Sequence, residues 1–410
     1  MSTSIRIERL GMRGDGIAEG PIYAARTLPG EVVSGEVVDG RLAAPKIVTP
    51  SDQRVKASCV HYARCGGCAL LHAHDDFVAD WKQGVVAAAL RAQGMEAPFL
   101  PLATSPPGSR RRATFAGRRL KKGAVVGFHT RASDTVIDVS ECKVVTPALS
   151  SLQARLDAFV VLLGSRKGEM SFAATQSECG IDLDIRGGKT PEPAQTQQLA
   201  ALAHQIGLAR LSLEGEIEIT LRPPALTFGG AQVVPPPGAF LQATAAGEEA
   251  LVSAVSEAVG DAVAITDLFA GCGTFALPLA AHAEVHAVEG DAAMLAALDA
   301  GWRHSKGLSR VTTEVRDLFR RPLLPDELAR AEAVVIDPPR AGAEAQMVQL
   351  AQARVPRIAA VSCNPVTFAR DAKLLTTAGY RLNWVRVVDQ FRWSSHVELA
   401  ASLSLAHIPA

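Results

Sequence analysis

Three stretches of this 410-residue chain carry side chains able to do chemistry. In Val361-Ser362-Cys363-Asn364-Pro365-Val366-Thr367, Cys363 ends the apolar run Ile358–Val361 and lies about a strand and a helix beyond Val334-Val335-Ile336-Asp337-Pro338-Pro339-Arg340. A thiol at the mouth of a parallel sheet is a candidate nucleophile, because the thiolate is the attacking form and its pKa is set by such surroundings. Farther on, Phe391-Arg392-Trp393-Ser394-Ser395-His396-Val397-Glu398 offers two candidate bases. Glu398 opens an apolar strand and His396 lies two residues earlier, and spacing alone does not choose between them. In the third stretch, Cys59-x5-Cys65-x2-Cys68 puts three thiols on a glycine-softened loop, with Cys142 the candidate fourth ligand. Seven cysteines, three of them crowded into one loop, favour metal ligation or catalysis over disulfides. Four thiolates suit either zinc or a [4Fe–4S] cluster. Cys179 and Cys272 fit neither constellation and read as structural.

A ligand-binding loop precedes the first of these stretches. Asp267-Leu268-Phe269-Ala270-Gly271-Cys272-Gly273-Thr274-Phe275 follows a strand and is expected to open a helix, its glycines letting backbone approach a ligand. Glu289 ends the next strand about 18 residues beyond Gly271, where a carboxylate accepts both hydroxyls of a ribose. Asp317 ends the strand-like Val311–Val315 and can meet an adenine amino group. This set resembles the signature of class I S-adenosylmethionine-dependent methyltransferases. Asp337-Pro338-Pro339-Arg340 stands where amino-group methyltransferases carry an Asn/Asp-Pro-Pro-aromatic motif, with arginine in the aromatic's place. That exchange argues for methylation at carbon. Uracil C5 is a poor nucleophile until a thiolate adds to C6, and a base must then remove the C5 proton.

The elements that must position these residues follow from pattern. Residues 1–52 alternate short apolar runs with glycine and proline turns, as a small OB-like β-barrel does. Residues 53–235 read as an α+β unit. It holds the cysteine loop, a helix from about Asp75 to Gly94 that packs on the C-terminal unit, and an antiparallel sheet with one or two helices. The proline-rich passage from Pro223 to Gly238 marks a boundary. Residues 236–410 alternate strands and helices, the pattern of a doubly wound, Rossmann-like α/β sheet. Its expected strands are Ala262–Leu268, Glu284–Val288, Ala333–Ile336, Arg357–Val361, and a pair around Trp384–Val388 and Glu398–Leu403. Lys+Arg and Asp+Glu balance at 42 each, so any nucleic-acid argument must come from local clustering. The densest basic stretch is Arg110-Arg111-Arg112 with Arg118-Arg119 and Lys121-Lys122, Phe115 lying inside it, and Arg110, Arg111, Arg112 and Phe115 are candidates for phosphate contacts and base stacking. With no bilayer-length apolar run and no signal peptide, a cytoplasmic location without membrane partners is expected.

Family resemblance extends this reading. Leu10–Ala18 with Leu28-Pro29-Gly30-Glu31 resembles the RNA-binding TRAM domain. Asp337–Gly342, Ser362-Cys363-Asn364-Pro365-x-Thr367 with Ala369-Arg370-Asp371, and His396-Val397-Glu398 together resemble the RNA uracil-C5-methyltransferase family. That resemblance implies Cys363 as nucleophile, Glu398 as base, and cofactor contacts from Gln242, Phe269, Gly271, Gly273, Thr274, Glu289, Asp317 and Asp337. The cysteine spacing resembles the [4Fe–4S] ligands of the branch that makes 5-methyluridine in 23S ribosomal RNA. It implies a monomer that meets its RNA before or during ribosome assembly. The T-loop of transfer RNA is the alternative substrate, and a non-catalytic RNA-binding iron–sulfur redox sensor the alternative of another class. Two positions depart from the family pattern: Ala360 stands where tyrosine is usual, and Thr274 where asparagine is often found.

Overall fold

Five strands, Thr3–Leu10, Gly16–Ala18, Ile22–Ala24, Val32–Val38 and Arg41–Thr49, close into a barrel at the N-terminal end. The computed structural model describes residues 3–405, so residues 1–2 and 406–410, the ends of the first and last expected units, lie outside it. Ile7, Ala18, Ala24, Val33 and Leu42 fill the barrel. Gly16 is required there by close approach, since a Cβ would lie 2.1 Å from Thr27 Oγ1 and 2.8 Å from Ile7. The small β-barrel expected from the turn spacing is present.

The central sheet has seven strands in the order Glu216–Thr220, Arg210–Leu213, Gly180–Arg186, Glu169–Ser177, Arg112–Arg119, Ala124–His129, Val136–Ile137. Two differences from expectation share one cause. Gly180–Arg186 pairs in parallel with Arg210–Leu213 because helix Pro193–Ile206 carries the chain back between them. Helices Pro147–Gln153 and Asp157–Leu163 bring the total in this region to three. Phe115, Phe159, Phe172, Leu149 and Met170 form its core.

The C-terminal sheet has eight strands, ordered Val311–Val315, Glu284–Glu289, Ala264–Leu268, Ala333–Ile336, Arg357–Ser362, Glu398–Leu405, Tyr380–Asp389, Ala103–Thr104. The first five run parallel, and Glu398–Leu405 then inserts antiparallel between Arg357–Ser362 and Tyr380–Asp389. Side-chain alternation sends Ala333 and Val335 into one helix layer and Val334 and Ile336 into the other. The first layer contains Leu251 and Val255 of helix Ala245–Val259 and Leu295 and Leu298 of helix Ala292–His304. The second contains Met347 and Leu350 of Glu344–Ala353 and Phe368 and Leu375 of Pro365–Thr377.

Segments from earlier in the chain complete this unit. Hairpin Leu226–Phe228/Ala231–Val233 places Phe228 and Val233 in the first layer, and helix Asp75–Ala92 places Val86 and Leu90 in the second. No helix among the described residues is long and apolar enough to cross a membrane.

Helix Asp75–Ala92 also carries Lys82, whose side chain is fully buried. Its ammonium lies 2.6 Å from Asp389 Oδ1 and donates to the Phe391 carbonyl at 3.1 Å. Removing one member of a buried pair strands the other's charge. Lys82→Ala should therefore cost about 3–5 kcal/mol in urea denaturation, and Lys82→Met with Asp389→Leu should recover most of that loss.

Candidate active site and cysteine cavity

Strand register decides which side chains meet. Leu268 pairs with Ile336, Ile336 with Ala360, and Ser362 with Leu399. The carboxyl ends of three parallel strands and the start of an antiparallel one thus share one sheet edge. Asp337, Cys363 and Glu398 all issue from it. Two proline-containing loops are fastened together here, because Asn364 Nδ2 and Thr367 Oγ1 both donate to the Arg340 carbonyl, at 2.9 and 3.2 Å. Asp371 supports them by accepting the Ala343 N–H at 2.8 Å. Gly342, at φ +77°, leaves that carboxylate room, since a Cβ would stand 2.5 Å from Asp371 Oδ2.

The electrostatics of the edge are acidic, and its groups range from buried to exposed. Glu398 is buried, and burial together with the nearby Asp337 carboxylate pushes it up to about 8, against the pull of a Gln390 N–H. Burial pushes Asp337 up to about 7. The half-buried Cys363 thiol goes up to about 11 through burial, Glu398 and Asp337, while the Arg340 guanidinium pulls it down. Glu398 and Asp337 both perturb Cys363, whereas His396 lies on the exposed loop, edge-on to Phe391 at 5.6 Å. Ala360 is buried within the second helix layer.

The glycine loop lies on the same edge. Phe269 adopts φ +62°, an uncommon conformation for a residue with a side chain, and its ring meets Phe319 at 5.4 Å. Gly271 N–H donates to Glu289 Oε2 at 3.0 Å, and Asp317 Oδ1 accepts from Phe319 N at 3.0 Å. The expected helix is short, Ala276–Leu279, with Thr274 in the turn before it. Asp267 is fully buried, and burial with the nearby Asp337 carboxylate pushes it well above the usual carboxylate range, against the pull of the Ala276 N–H. A cluster of buried acids suits a ligand that brings positive charge, as S-adenosylmethionine does with its sulfonium and ammonium groups.

Gln390 and Phe319 were not reached from sequence. Gln390 follows the long strand Tyr380–Asp389 and is 2% exposed. It donates to Gln242 Oε1 at 2.6 Å and to Glu398 Oε2 at 3.1 Å, and accepts the Ala243 N–H at 2.7 Å. No periodicity links residues so far apart in the chain. Phe319, half exposed, has only its closeness to Asp317 as a signal.

The four cysteines Cys59, Cys65, Cys68 and Cys142 line one cavity of about 240 Å³ together with His61, Tyr62 and Arg110. Backbone contacts bring them there. Cys65 bridges to Thr130, and the Arg110 N–H donates to the Val144 carbonyl beside Cys142. Burial, followed by the other three thiols, pushes Cys68 up to about 12. No three His, Cys, Asp or Glu side chains among the described residues converge on a single-ion position.

The basic cluster needs correction. Phe115 is 1% exposed and stacks on Phe128 at 5.1 Å in the central core, because strand alternation turns it inward with Ala113. It offers no ring to a base. Arg111 pairs with Glu248 and donates to the Gln242 carbonyl, Arg112 lies 5.0 Å over Phe240, and Arg110 faces the cysteine cavity and Phe391. These arginines form a seam between the central sheet and the C-terminal unit rather than an open phosphate-binding strip.

Comparison with known proteins agrees with this geometry. The profile of the family described as tRNA (Uracil-5-)-methyltransferase matches residues 235–405. An "uncharacterized RNA methyltransferase" of Brucella suis biovar 1 (strain 1330) is 45% identical over 403 residues, 98% of this chain and 97% of that protein. The 23S rRNA (uracil(1939)-C(5))-methyltransferase RlmD of Halomonas elongata is 34% identical over 424 residues, covering 96% of this chain and 87% of RlmD. The chain belongs to the RNA uracil-C5-methyltransferase family. Its fold matches the Pyrococcus abyssi tRNA (uracil-54, C5)-methyltransferase solved with S-adenosyl-L-homocysteine. The TM-score is 0.76 at 23% identity, over 98% of this chain and 99% of that one. The protein is thus an RNA methyltransferase with an α/β methyltransferase fold.

The buried acids of this methyltransferase should mark its pH-dependent stability. Glu398 has its folded pKa raised from 4.5 to about 8, so the folded state holds the proton more tightly and stability falls as pH rises through that window. Asp337, raised from 3.8 to about 7, acts in the same direction. Glu398→Gln, which cannot ionise, should match the parent near pH 4.5 and exceed it by on the order of a few kcal/mol at pH 8, as thermal melts at the two pH values would show.

Proposed function

We propose that the enzyme makes 5-methyluridine in 23S ribosomal RNA, with Cys363 as nucleophile and Glu398 as base. The observation that carries this reading is the convergence of Cys363, Glu398 and Asp337 on one sheet edge beside a glycine loop. In this reading the Cys363 thiolate adds to C6 of the uracil, forming an S–C6 bond and an enolate whose C5 is nucleophilic. Bound S-adenosylmethionine would supply the electrophilic methyl group, its S–CH3 bond breaking as C5 takes up the methyl and S-adenosylhomocysteine leaving as the thioether. Glu398 then accepts the C5 proton, the C5–C6 double bond re-forms, and the S–C6 bond breaks to release the Cys363 thiolate, the proton passing from Glu398 to solvent. A carboxyl raised to about 8 suits this work, because a general base acts best with a pKa near the working pH. Arg340 is the cation placed to favour the thiolate.

Gln242, Phe269, Gly271, Gly273, Thr274, Glu289, Asp317 and Asp337 would hold S-adenosylmethionine. Cys59, Cys65, Cys68 and Cys142 would ligate a [4Fe–4S] cluster. Four thiols around a cavity of about 240 Å³ support this reading. The barrel is read as a TRAM-like RNA-binding module, and the enzyme as a monomer.

The ribosomal substrate is favoured over the transfer-RNA T-loop by the relationship to RlmD, which extends through the cysteine region. Family membership with Cys363 and Glu398 in place speaks against the non-catalytic redox-sensor reading. Purified 23S and transfer RNA, taken from a strain lacking the enzyme, test this as methyl acceptors. Methylation of 23S RNA alone is expected, and of transfer RNA alone would reverse the assignment. Cys363→Ala should abolish methyl transfer, and Glu398→Gln should accumulate a covalent RNA–protein adduct visible on denaturing gels. A Glu398→Gln enzyme of normal rate and no adduct would move the base elsewhere. Anaerobically purified protein should show the broad visible absorption of a cluster, absent in Cys68→Ala.

A further inference from the structure

A single amide spans the two halves of the site. Gln390 Oε1 is committed to the Ala243 N–H at 2.7 Å, which fixes the orientation of the whole side chain, since the flipped amide would set donor against donor. Its Nε2 must then point the other way, where it serves Gln242 Oε1 at 2.6 Å and Glu398 Oε2 at 3.1 Å at once. Both bonds specify their partners. With Oε1 of Gln242 engaged, that side chain is left with N–H donors to offer a ligand. With Oε2 of Glu398 engaged, Oε1 is the oxygen left to accept a proton. The backbone makes room for this arrangement. Gly247, in the first turn of helix Ala245–Val259, lies so close that a Cβ there would stand 2.6 Å from Gln390 Cβ and 3.2 Å from its Oε1.

We propose that Gln390 is a positioning residue that couples the cofactor-side glutamine Gln242 to the base Glu398, fixing which Glu398 oxygen faces the substrate and which atoms of Gln242 face the cofactor. This rests on the reading of Glu398 as the base. Gln390 touches neither substrate nor cofactor in this role, and acts through its two neighbours. Its N–H favours the Glu398 carboxylate over the carboxylic acid, so its loss leaves burial and Asp337 unopposed.

The test compares Gln390→Met, which keeps length and loses all three hydrogen bonds, with the parent in methylation of an RNA fragment across pH 6–9. The acidic limb of the rate profile should move to higher pH, and KM for S-adenosylmethionine should rise about tenfold, the size of one buried hydrogen bond. Covalent adduct should accumulate below pH 7, where elimination is starved of base. A merely structural residue would lower the amount of active enzyme and leave the limb in place. Gln390→Glu covers a Met variant that does not fold. It keeps an acceptor for Ala243 and adds a carboxylate beside Glu398, which should move the limb further upward. An unmoved limb and unchanged KM in a folded variant would overturn the proposal. Adduct trapping by Glu398→Gln is scored in parallel, so that a failure of Glu398 as base is told apart from a failure of Gln390.

Discussion

The antiparallel ladder between Arg357–Ser362 and Glu398–Leu405 is the constraint on which the rest depends. A parallel neighbour would begin at the far edge of the sheet and carry its first residue away from the loops. Antiparallel pairing brings the first residue of Glu398–Leu405 back to the edge where Arg357–Ser362 ends. Cys363 and Glu398, distant in sequence, become neighbours through the pairing of Ser362 with Leu399. A slip of one residue would turn Glu398 to the opposite face.

That placement has an energetic cost, and the fold shows how it is met. Asp267 and Glu398 are carboxyl groups taken out of water with few partners, and Asp337 is half-buried beside them. Burial without compensation favours their neutral forms, so the site works against stability near neutral pH. The edge holds because the two helix layers on either side of the sheet bury long apolar runs, with Val334–Ile336 and Ile358–Val361 each fully covered. Stability made in the layers offsets strain at the loops, including the positive φ of Phe269.

The central region supports the site as well as adjoining it. Lys82 reaches from helix Asp75–Ala92 to Asp389 and the Phe391 carbonyl, and the Trp393 carbonyl accepts N–H bonds from Ala69 and Leu70 beside the cysteine loop. The segment between Asp389 and Glu398 is therefore clamped from the cysteine side. Arg111 and Arg112 tie Phe240–Gln242 to the central sheet along the other seam. Gln390 lies where the two clamped segments meet.

Local chemistry alone determined much of this protein. The alternation of apolar strands and helices gave the α/β unit, turn spacing gave the barrel, and the glycine loop, the Cys363 stretch and the cysteine loop stand out because each is a short stretch with its own pattern. Phe115 misled because a basic cluster in sequence says nothing about which face of a strand an aromatic occupies; inward alternation placed it in a core and turned the arginines into a seam. The burial of Glu398, the hydrogen bonds of Gln390 and the gathering of Cys142 with the cysteine loop were left to tertiary structure. Each depends on strand register and desolvation, which are properties of pairing between distant segments. The type of a residue can be read locally, but its protonation and its partners depend on which segments exclude water around it.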